Sequence, residues 1–217
     1  MIPIRRKTVI YIVLGTLAAI LIAVIISSKS TKTNKPGIPW IFEAPEKKAG
    51  RRGEYAATNA IKSVLREGDY LFTNVSISYD GKPAELDNVV VNSYGVFIIE
   101  VKNYKGRLYG EEDDYEWLKF KDDGYGNTFS KTVKNPIKQV KRQVYLLAKY
   151  IDFYASRVWV EGYALLVRGN SPIDSPYLLE SIADIDRAIH TPGRNRLNPQ
   201  TVESIRKLLE DEKQDTR

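Results

Sequence analysis

The 217-residue sequence predicts a mixed α/β domain, a sheet with flanking helices, preceded by one transmembrane helix. Three observations support this prediction. An uncharged apolar run lies near the N terminus, several runs of alternating apolar and polar residues follow, and two long segments repeat apolar residues every three or four positions. We therefore divide the chain into a membrane anchor over 1–28, a juxtamembrane linker over 29–47 and a globular domain over 48–217.

The first element is the run TVIYIVLGTLAAILIAVIISS, residues 8–28, which carries no charge. About 20 helical residues cross a bilayer core of about 30 Å. A cleaved signal peptide is the alternative, but its apolar region is usually shorter and no small-residue cleavage site follows here. We expect a single-pass anchor in a lipid bilayer. Basic residues flank both ends, so the membrane side stays open, with a slight preference for a cytoplasmic N terminus.

Charge and composition exclude several kinds of site. Residues 1–35 hold six of the 33 basic residues and no acid, which leaves 27 bases against 27 acids in the remainder. Any affinity for phosphates must therefore come from local clusters and not from a global basic field. The absence of cysteine excludes disulfides, thiolate zinc sites and a cysteine nucleophile. The single histidine, His190, precedes a turn, and we expect it at the surface of a helix end.

The globular domain begins with a helix predicted from Glu54 to Arg66, between Gly53 and Gly68. Its apolar stripe places Glu54 on the buried side, which is unusual for a glutamate. Strands are expected over 69–79, 85–92, 95–102, 106–110 and 115–121. A second long helix lies in KNPIKQVKRQVYLLAKYID, and the last elements are a strand in RVWVEGYALLV and helices over 183–190 and 198–212.

Two neighbouring strands carry charges among apolar residues. Glu100 and Lys102 lie two residues apart in GVFIIEVK and therefore share a face. If residues 93–94 form a two-residue hairpin loop, Asp87 faces Glu100 with Cβ atoms about 4.5–5.5 Å apart; a bulged turn would shift this register by one. Such close carboxylates repel unless a proton or a divalent cation lies between them. An ordinary exposed ion pair between Glu100 and Lys102 is the alternative.

The charged residues belong to an ordered set of motifs, which are GRRGE at 50–54, ELDNVVVN at 85–92, GVFIIEVKNYKG at 95–106 and NPIKQ at 135–139. Together these motifs resemble the nuclease-related domain family, a branch of the PD-(D/E)xK restriction-endonuclease-like superfamily, over residues 49–152. One position departs from the family pattern. Members commonly show a histidine after the strand aspartate, where this chain has Asn88, and one polar group is thereby removed.

The resemblance implies a restriction-endonuclease-like core that hydrolyses phosphodiester bonds in nucleic acid, with DNA as the expected substrate. It implies that Asp87, Glu100 and the carbonyl of Val101 bind a magnesium or manganese ion, since oxygen ligands suit both metals. The ion would make a water more acidic and neutralise the scissile phosphate. Lys102 would position or help to deprotonate the attacking water and stabilise the developing negative charge.

Two helices would supply the remaining site residues. The resemblance implies that Glu54 is an extra ligand or an outer hydrogen-bond acceptor, and that Gln139 orients water or phosphate. Residues 131–150 hold no acid and form a basic cluster around Gln139, although a solvated helix face would explain the same charges. The residues expected to hold the nucleic-acid backbone without reading its sequence are Lys134, Lys138, Lys141 and Arg142.

Two other functions are compatible with the sequence. One is a non-catalytic nucleic-acid-binding or docking module on the same fold, and the other is a membrane-tethered structural protein. The presence of Asp87, Glu100 and Lys102 together argues against both, because a binding module has no need of adjacent carboxylates, which repel phosphate. The sequence does not decide between DNA and RNA as substrate or between endonuclease and exonuclease action. It also leaves the oligomeric state open.

Overall fold

The computed structural model describes residues 45–215, apart from positions 123, 126 and 193–195. The predicted anchor over 8–28 and nearly all of the predicted linker lie outside this part of the chain. Within the described ranges, no helix is both long and apolar enough to cross a bilayer. The membrane anchor therefore stays a prediction.

The described elements confirm a mixed α/β domain with flanking helices. In chain order they are α1 Pro45–Val64, β1 Tyr70–Tyr79, β2 Lys82–Asn92, β3 Gly95–Lys102, β4 Arg107–Tyr109, β5 Glu116–Asp122, β6 Thr128–Lys134, α2 Pro136–Tyr154, β7 Val160–Leu166, β8 Leu178–Leu179, α3 Ile182–His190 and α4 Pro199–Asp215. The first helix begins at Pro45 rather than at Glu54, and β6 and β8 are additional to the predicted strands.

The strands form two sheets of different size. The larger sheet has the order β1-β2-β3-β7-β8, in which β1, β2 and β3 run antiparallel and β7 pairs parallel to both β3 and β8. The smaller sheet is the antiparallel meander β4-β5-β6. It lies in the connection between β3 and β7, followed by α2. The chain that leaves the C-terminal end of β3 therefore builds the small sheet before it returns through α2.

Helices cover both faces of the large sheet because successive strand side chains point to opposite sides. One face packs against α2 and α4 through Val89, Val91, Ile98, Leu147, Ile151 and Ile205. The other packs against α1 and α3 through Ala57, Ile61, Val90, Phe97, Ile99 and Ile185. Since Glu100 and Lys102 continue the alternation that begins at Ile98, they point toward the α2 side.

The β2–β3 hairpin has the register that the sequence predicts. Asn92 pairs with Gly95 and Val89 pairs with Ile98, so residues 93–94 form the two-residue loop and no bulge shifts the ladder. The side chain of Asn92 closes the turn, because its Oδ1 accepts hydrogen bonds from the main-chain N–H groups of Tyr94 and Gly95. This turn fixes which residues of β2 and β3 face each other.

The prediction of a surface histidine is wrong. His190 is only 8% exposed at the end of α3. Its Nδ1 lies 2.7 Å from Oδ1 of Asp186, and its Nε2 lies 2.8 Å from Oδ2 of Asp69. Both ring nitrogens therefore have a polar partner, which offsets the cost of burying them. The contact joins the end of α3 to the start of β1.

Candidate active site

The site centres on the carboxylate of Glu100, which is 3% exposed at the end of β3. Its Oε1 accepts hydrogen bonds from Lys102 Nζ at 2.6 Å and from Gln139 Nε2 at 2.5 Å. Its Oε2 accepts one from Gln143 Nε2 at 2.7 Å. A carboxylate can be buried only where donors replace the water it loses. The structure thus brings Glu100, Lys102 and Gln139 together, as the sequence predicts.

The start of α2 is fixed by Asn135 and Pro136. The side chain of Asn135 caps the helix by accepting a hydrogen bond from Ile137 N, and Pro136 occupies the first turn, where its missing N–H is not needed. Asn135 Nδ2 also donates to main-chain carbonyls of the turn between β4 and β5, those of Glu111, Glu112 and Asp114. This anchored start delivers Gln139 and Gln143, one turn apart, to the sheet.

Gln143 is a site residue that the sequence reading missed. It is 2% exposed, and its Nε2 donates both to Glu100 and to the main-chain carbonyl of Glu85. Its Oε1 is buried and has no hydrogen-bond donor among the described residues. An unused acceptor therefore lies beside the Glu100 carboxylate. The only sequence signal is a glutamine one turn after Gln139 within the apolar stripe of the helix.

Asp87 is not paired with a residue of either neighbouring strand, β1 or β3. Pairing of β1 with β2 skips Asp87 opposite Asn74, which has a φ of 54°, and pairing of β2 with β3 ends at Asn88. Asp87 Oδ2 instead accepts a hydrogen bond from Val101 N at 2.7 Å. Because the N–H and C=O of one residue leave a strand on the same edge, the Val101 carbonyl lies on the Asp87 side of β3.

The charges of the two carboxylates act on each other. Burial, and then the negative charge of Glu100, raise the pKa of Asp87 to about 6, although the Val101 N–H and Lys102 oppose this shift. Burial disfavours the ammonium of Lys102, but the charge and hydrogen bond of Glu100 outweigh it and raise the pKa of Lys102. Burial and the charge of Glu100 therefore both disfavour an ionised Asp87, and Lys102 offsets them only in part.

The residues present fit a divalent cation with few protein ligands. Among the described residues, no three His, Cys, Asp or Glu side chains come together as a metal cluster. The candidate ligands are instead the carboxylates of Asp87 and Glu100 and the carbonyl of Val101. A carboxylate has about four acceptor positions, and the three donors to Glu100 leave about one free. Magnesium commonly binds through one or two carboxylates and keeps several waters.

Glu54 is exposed, so its predicted place on the buried side of α1 is wrong. The buried face of the helix runs instead through Gly53, Ala57 and Ile61. A Cβ atom on Gly53 would lie 2.7 Å from Cβ of Asn103, so the helix approaches the end of β3 closely at this glycine. Glu54 does not join the hydrogen bonds around Glu100, although its charge contributes slightly to the raised pKa of Asp87.

Asn88 fastens α1 to the hairpin beside Asp87. It is 1% exposed, and its Oδ1 accepts a hydrogen bond from Thr58 Oγ1 at 3.0 Å. Its Nδ2 donates to the main-chain carbonyl of Ile99 at 3.4 Å. The asparagine at this position therefore links one helix to two strands, a role that positions the site without adding a ligand.

The predicted backbone-binding residues differ in how much of their charge is engaged. Lys141 forms an ion pair with Glu112 at 3.0 Å, and Arg142 donates to the main-chain carbonyl of Pro83 at 3.1 Å. Lys138 lies over the ring of Tyr115, with Nζ 5.5 Å from its centroid, and Lys134 is exposed at the end of β6. Neither Lys134 nor Lys138 has a carboxylate partner within the described ranges.

The family model for the nuclease-related domain matches residues 49–167, which is more than half of the chain. The chain belongs to the nuclease-related domain family. The matched range of this nuclease-related domain runs from α1 to β7 and contains every residue that surrounds Glu100. It extends beyond residue 152, where the sequence resemblance ended, and so includes the strand that pairs with β3.

Part of the chain is also similar to another protein. An uncharacterized protein of Bacillus anthracis is 30% identical over 69 residues, which are 31% of this chain and 32% of that protein. The chain therefore spans about a third of the length of this relative. No solved structure matches the chain significantly.

Proposed function

We propose that this chain is a membrane-anchored, divalent-metal-dependent nuclease that hydrolyses phosphodiester bonds in nucleic acid, with DNA as its substrate. One observation supports this function most strongly. The buried Glu100 carboxylate carries three side-chain donors and adjoins a second acid, Asp87. A structural ion pair between Glu100 and Lys102 requires neither the two glutamines nor the neighbouring acid. Membership of the nuclease-related domain family supports the same chemistry.

The carboxylates of Asp87 and Glu100 and the carbonyl of Val101 would hold a magnesium or manganese ion, which would neutralise charge on the phosphate and make a water more acidic. Gln139 and Gln143 lie on the same face of α2 and donate to different oxygens of the Glu100 carboxylate, Oε1 and Oε2. The orientation of this group is therefore set before substrate binds. Such preorganisation avoids a reorganisation cost during the reaction.

Lys102 acts as a hydrogen-bond donor in this scheme. Its raised pKa, which follows from the charge of Glu100 despite burial, keeps the ammonium protonated at neutral pH. A protonated ammonium donates up to three hydrogen bonds and accepts none. Lys102 would therefore position the attacking water or a phosphate oxygen and stabilise the negative charge that develops, rather than remove the proton of the water.

A cleavage assay tests the proposal. The full chain in uncharged detergent is incubated with labelled linear and circular DNA in magnesium, in manganese or in EDTA. We expect cleavage in either metal, none in EDTA and none with Glu100→Gln. Glu67→Gln, which changes an exposed glutamate outside the site, should cleave as the wild type does. Binding of DNA without cleavage in any metal would favour a non-catalytic binding module instead.

A further inference from the structure

The small sheet presents one face on which three lysines and an exposed aromatic ring lie together. Lys119 of β5 pairs with Lys131 of β6, and Lys121 pairs with Phe129 two positions along the same strands. Paired residues and residues two apart point to one side of a sheet, so all four side chains share a face. Phe129 is 60% exposed. We call these four residues the lysine–phenylalanine face.

The positive charge of this face is not balanced within the described part of the chain. No described carboxylate lies within ion-pair distance of Lys119, Lys121 or Lys131. Asp122 pairs with Arg107, and both belong to the opposite face of the sheet. Like charges directly opposite each other on neighbouring strands are unfavourable. An anion from outside the protein would relieve this repulsion.

The lysine–phenylalanine face continues from the carboxylate site. Lys119 Nζ lies 5.9 Å from the ring centroid of Tyr104, and Tyr104 follows Lys102 by two residues. At Gly106 the main chain then lies in close contact with β5. Only glycine fits there, because its φ is +95° and an added Cβ would lie 1.9 Å from the carbonyl oxygen of Phe120. The small sheet is therefore held in place immediately beyond Lys102, with Lys119 next to Tyr104.

We propose that the lysine–phenylalanine face binds a single-stranded segment of nucleic acid whose backbone continues into the Glu100 site. The proposal rests on the nuclease function proposed above. Lysines hold phosphates without reading sequence, and an exposed aromatic ring offers a stacking surface to an unpaired base. An anionic bilayer would satisfy the same lysines. Continuity with the carboxylate site favours nucleic acid, and the bilayer becomes an outcome of the test.

Binding measured without catalysis separates this surface from the active site. The full chain in uncharged detergent and EDTA is titrated against a labelled oligothymidylate and against a duplex of equal length, at several salt concentrations. The test variants are Lys119→Gln with Lys131→Gln, and Phe129→Leu. The control is Lys62→Gln with Lys149→Gln, which removes equal charge from exposed positions on α1 and α2.

We expect the double lysine variant to bind the single strand about tenfold more weakly, with a salt slope smaller by about 1.4, because each phosphate contact to a single strand contributes about 0.7. Phe129→Leu should weaken single-strand binding about fivefold or more and leave duplex binding unchanged, since stacking needs an unpaired base. The control pair should match the wild type. Equal losses in the control pair, or unchanged binding by the test variants, would overturn the proposal.

Two further readouts distinguish the possible failures. If the test variants lose binding only to vesicles that contain anionic lipid, the face binds membrane and the proposal is wrong. If the wild type never cleaves DNA but binds the oligonucleotide, and the test variants lose this binding, the proposed surface stands and the nuclease function fails. If the wild type cleaves in magnesium and the test variants bind as it does, only the proposed surface fails.

Discussion

Replacing Asp87 with asparagine removes one of two interacting negative charges and keeps an oxygen that can accept the hydrogen bond of Val101 N. In the metal-free protein, the ionised form of Asp87 is disfavoured by burial and by Glu100, and its pKa rises from 3.8 to about 6. One pKa unit corresponds to about 1.4 kcal/mol, so ionised Asp87 costs about 3 kcal/mol of folding stability at pH 8. Asp87→Asn should recover most of this cost.

The pH dependence gives this prediction a sign. Between pH 4 and 6 the folded state binds more protons at Asp87 than the unfolded state does, so the contribution of Asp87 to stability falls as pH rises. The advantage of Asp87→Asn over the wild type should therefore grow by about 2 kcal/mol between pH 4.5 and pH 8. Carboxylates remote from Asp87 contribute equally in both proteins and cancel in the difference.

Urea denaturation of the full chain in EDTA, followed by circular dichroism at the two pH values, measures this difference. Asp152→Asn, at an exposed position of α2, is the control and should change stability by no more than about 0.5 kcal/mol. Magnesium at about 100 times its dissociation constant should add about 2.7 kcal/mol to the wild type and nothing to Asp87→Asn. A variant that is less stable than the wild type by the same amount at both pH values would refute the argument that burial and the charge of Glu100 disfavour ionised Asp87.

Lys102→Ala removes no proposed metal ligand, so magnesium should still raise the melting temperature of this variant. Its cleavage rate should fall about 10²- to 10³-fold. A variant whose melting temperature no longer responds to magnesium would contradict the role of Lys102 as a hydrogen-bond donor. Gln143→Leu leaves Glu100 Oε2 without its donor and should cost about 1–3 kcal/mol in urea denaturation, whereas Gln→Leu at an exposed position should not. The full chain should partition with membranes and residues 46–217 with the aqueous phase; recovery of uncleaved full chain in the aqueous phase would contradict the anchor.

The register of the hairpin and the shared face of Glu100 and Lys102 could be predicted from the sequence because both depend on local rules. A two-residue loop at 93–94 sets the register, and strand alternation then places Glu100 and Lys102 on one face. The apolar spacing of α2 likewise sets which side of that helix meets the sheet. The arrangement of Glu100, Lys102 and Gln139 follows from these two elements.

The remaining site features depend on contacts that local patterns do not contain. Gln143 reads as an interruption of an apolar stripe until Glu100 is known to lie opposite. Glu54 is displaced from the buried face because Gly53, and not Glu54, makes the close contact with β3. Buried His190 has Asp69 as a hydrogen-bond partner, which is 121 residues away in sequence. The Lys119–Lys131 pair likewise appears only when the register of β5 and β6 is fixed.

The central claim is that Asp87 and Glu100 together hold a divalent cation beside nucleic acid. Calorimetric titration of magnesium into the full chain, in uncharged detergent with DNA present, tests it most directly. The account predicts saturable binding by the wild type, its loss in Asp87→Asn and in Glu100→Gln, and its retention in Lys102→Ala. A wild-type chain that binds no divalent ion with DNA present, or carboxylate variants that bind it as the wild type does, would contradict the account.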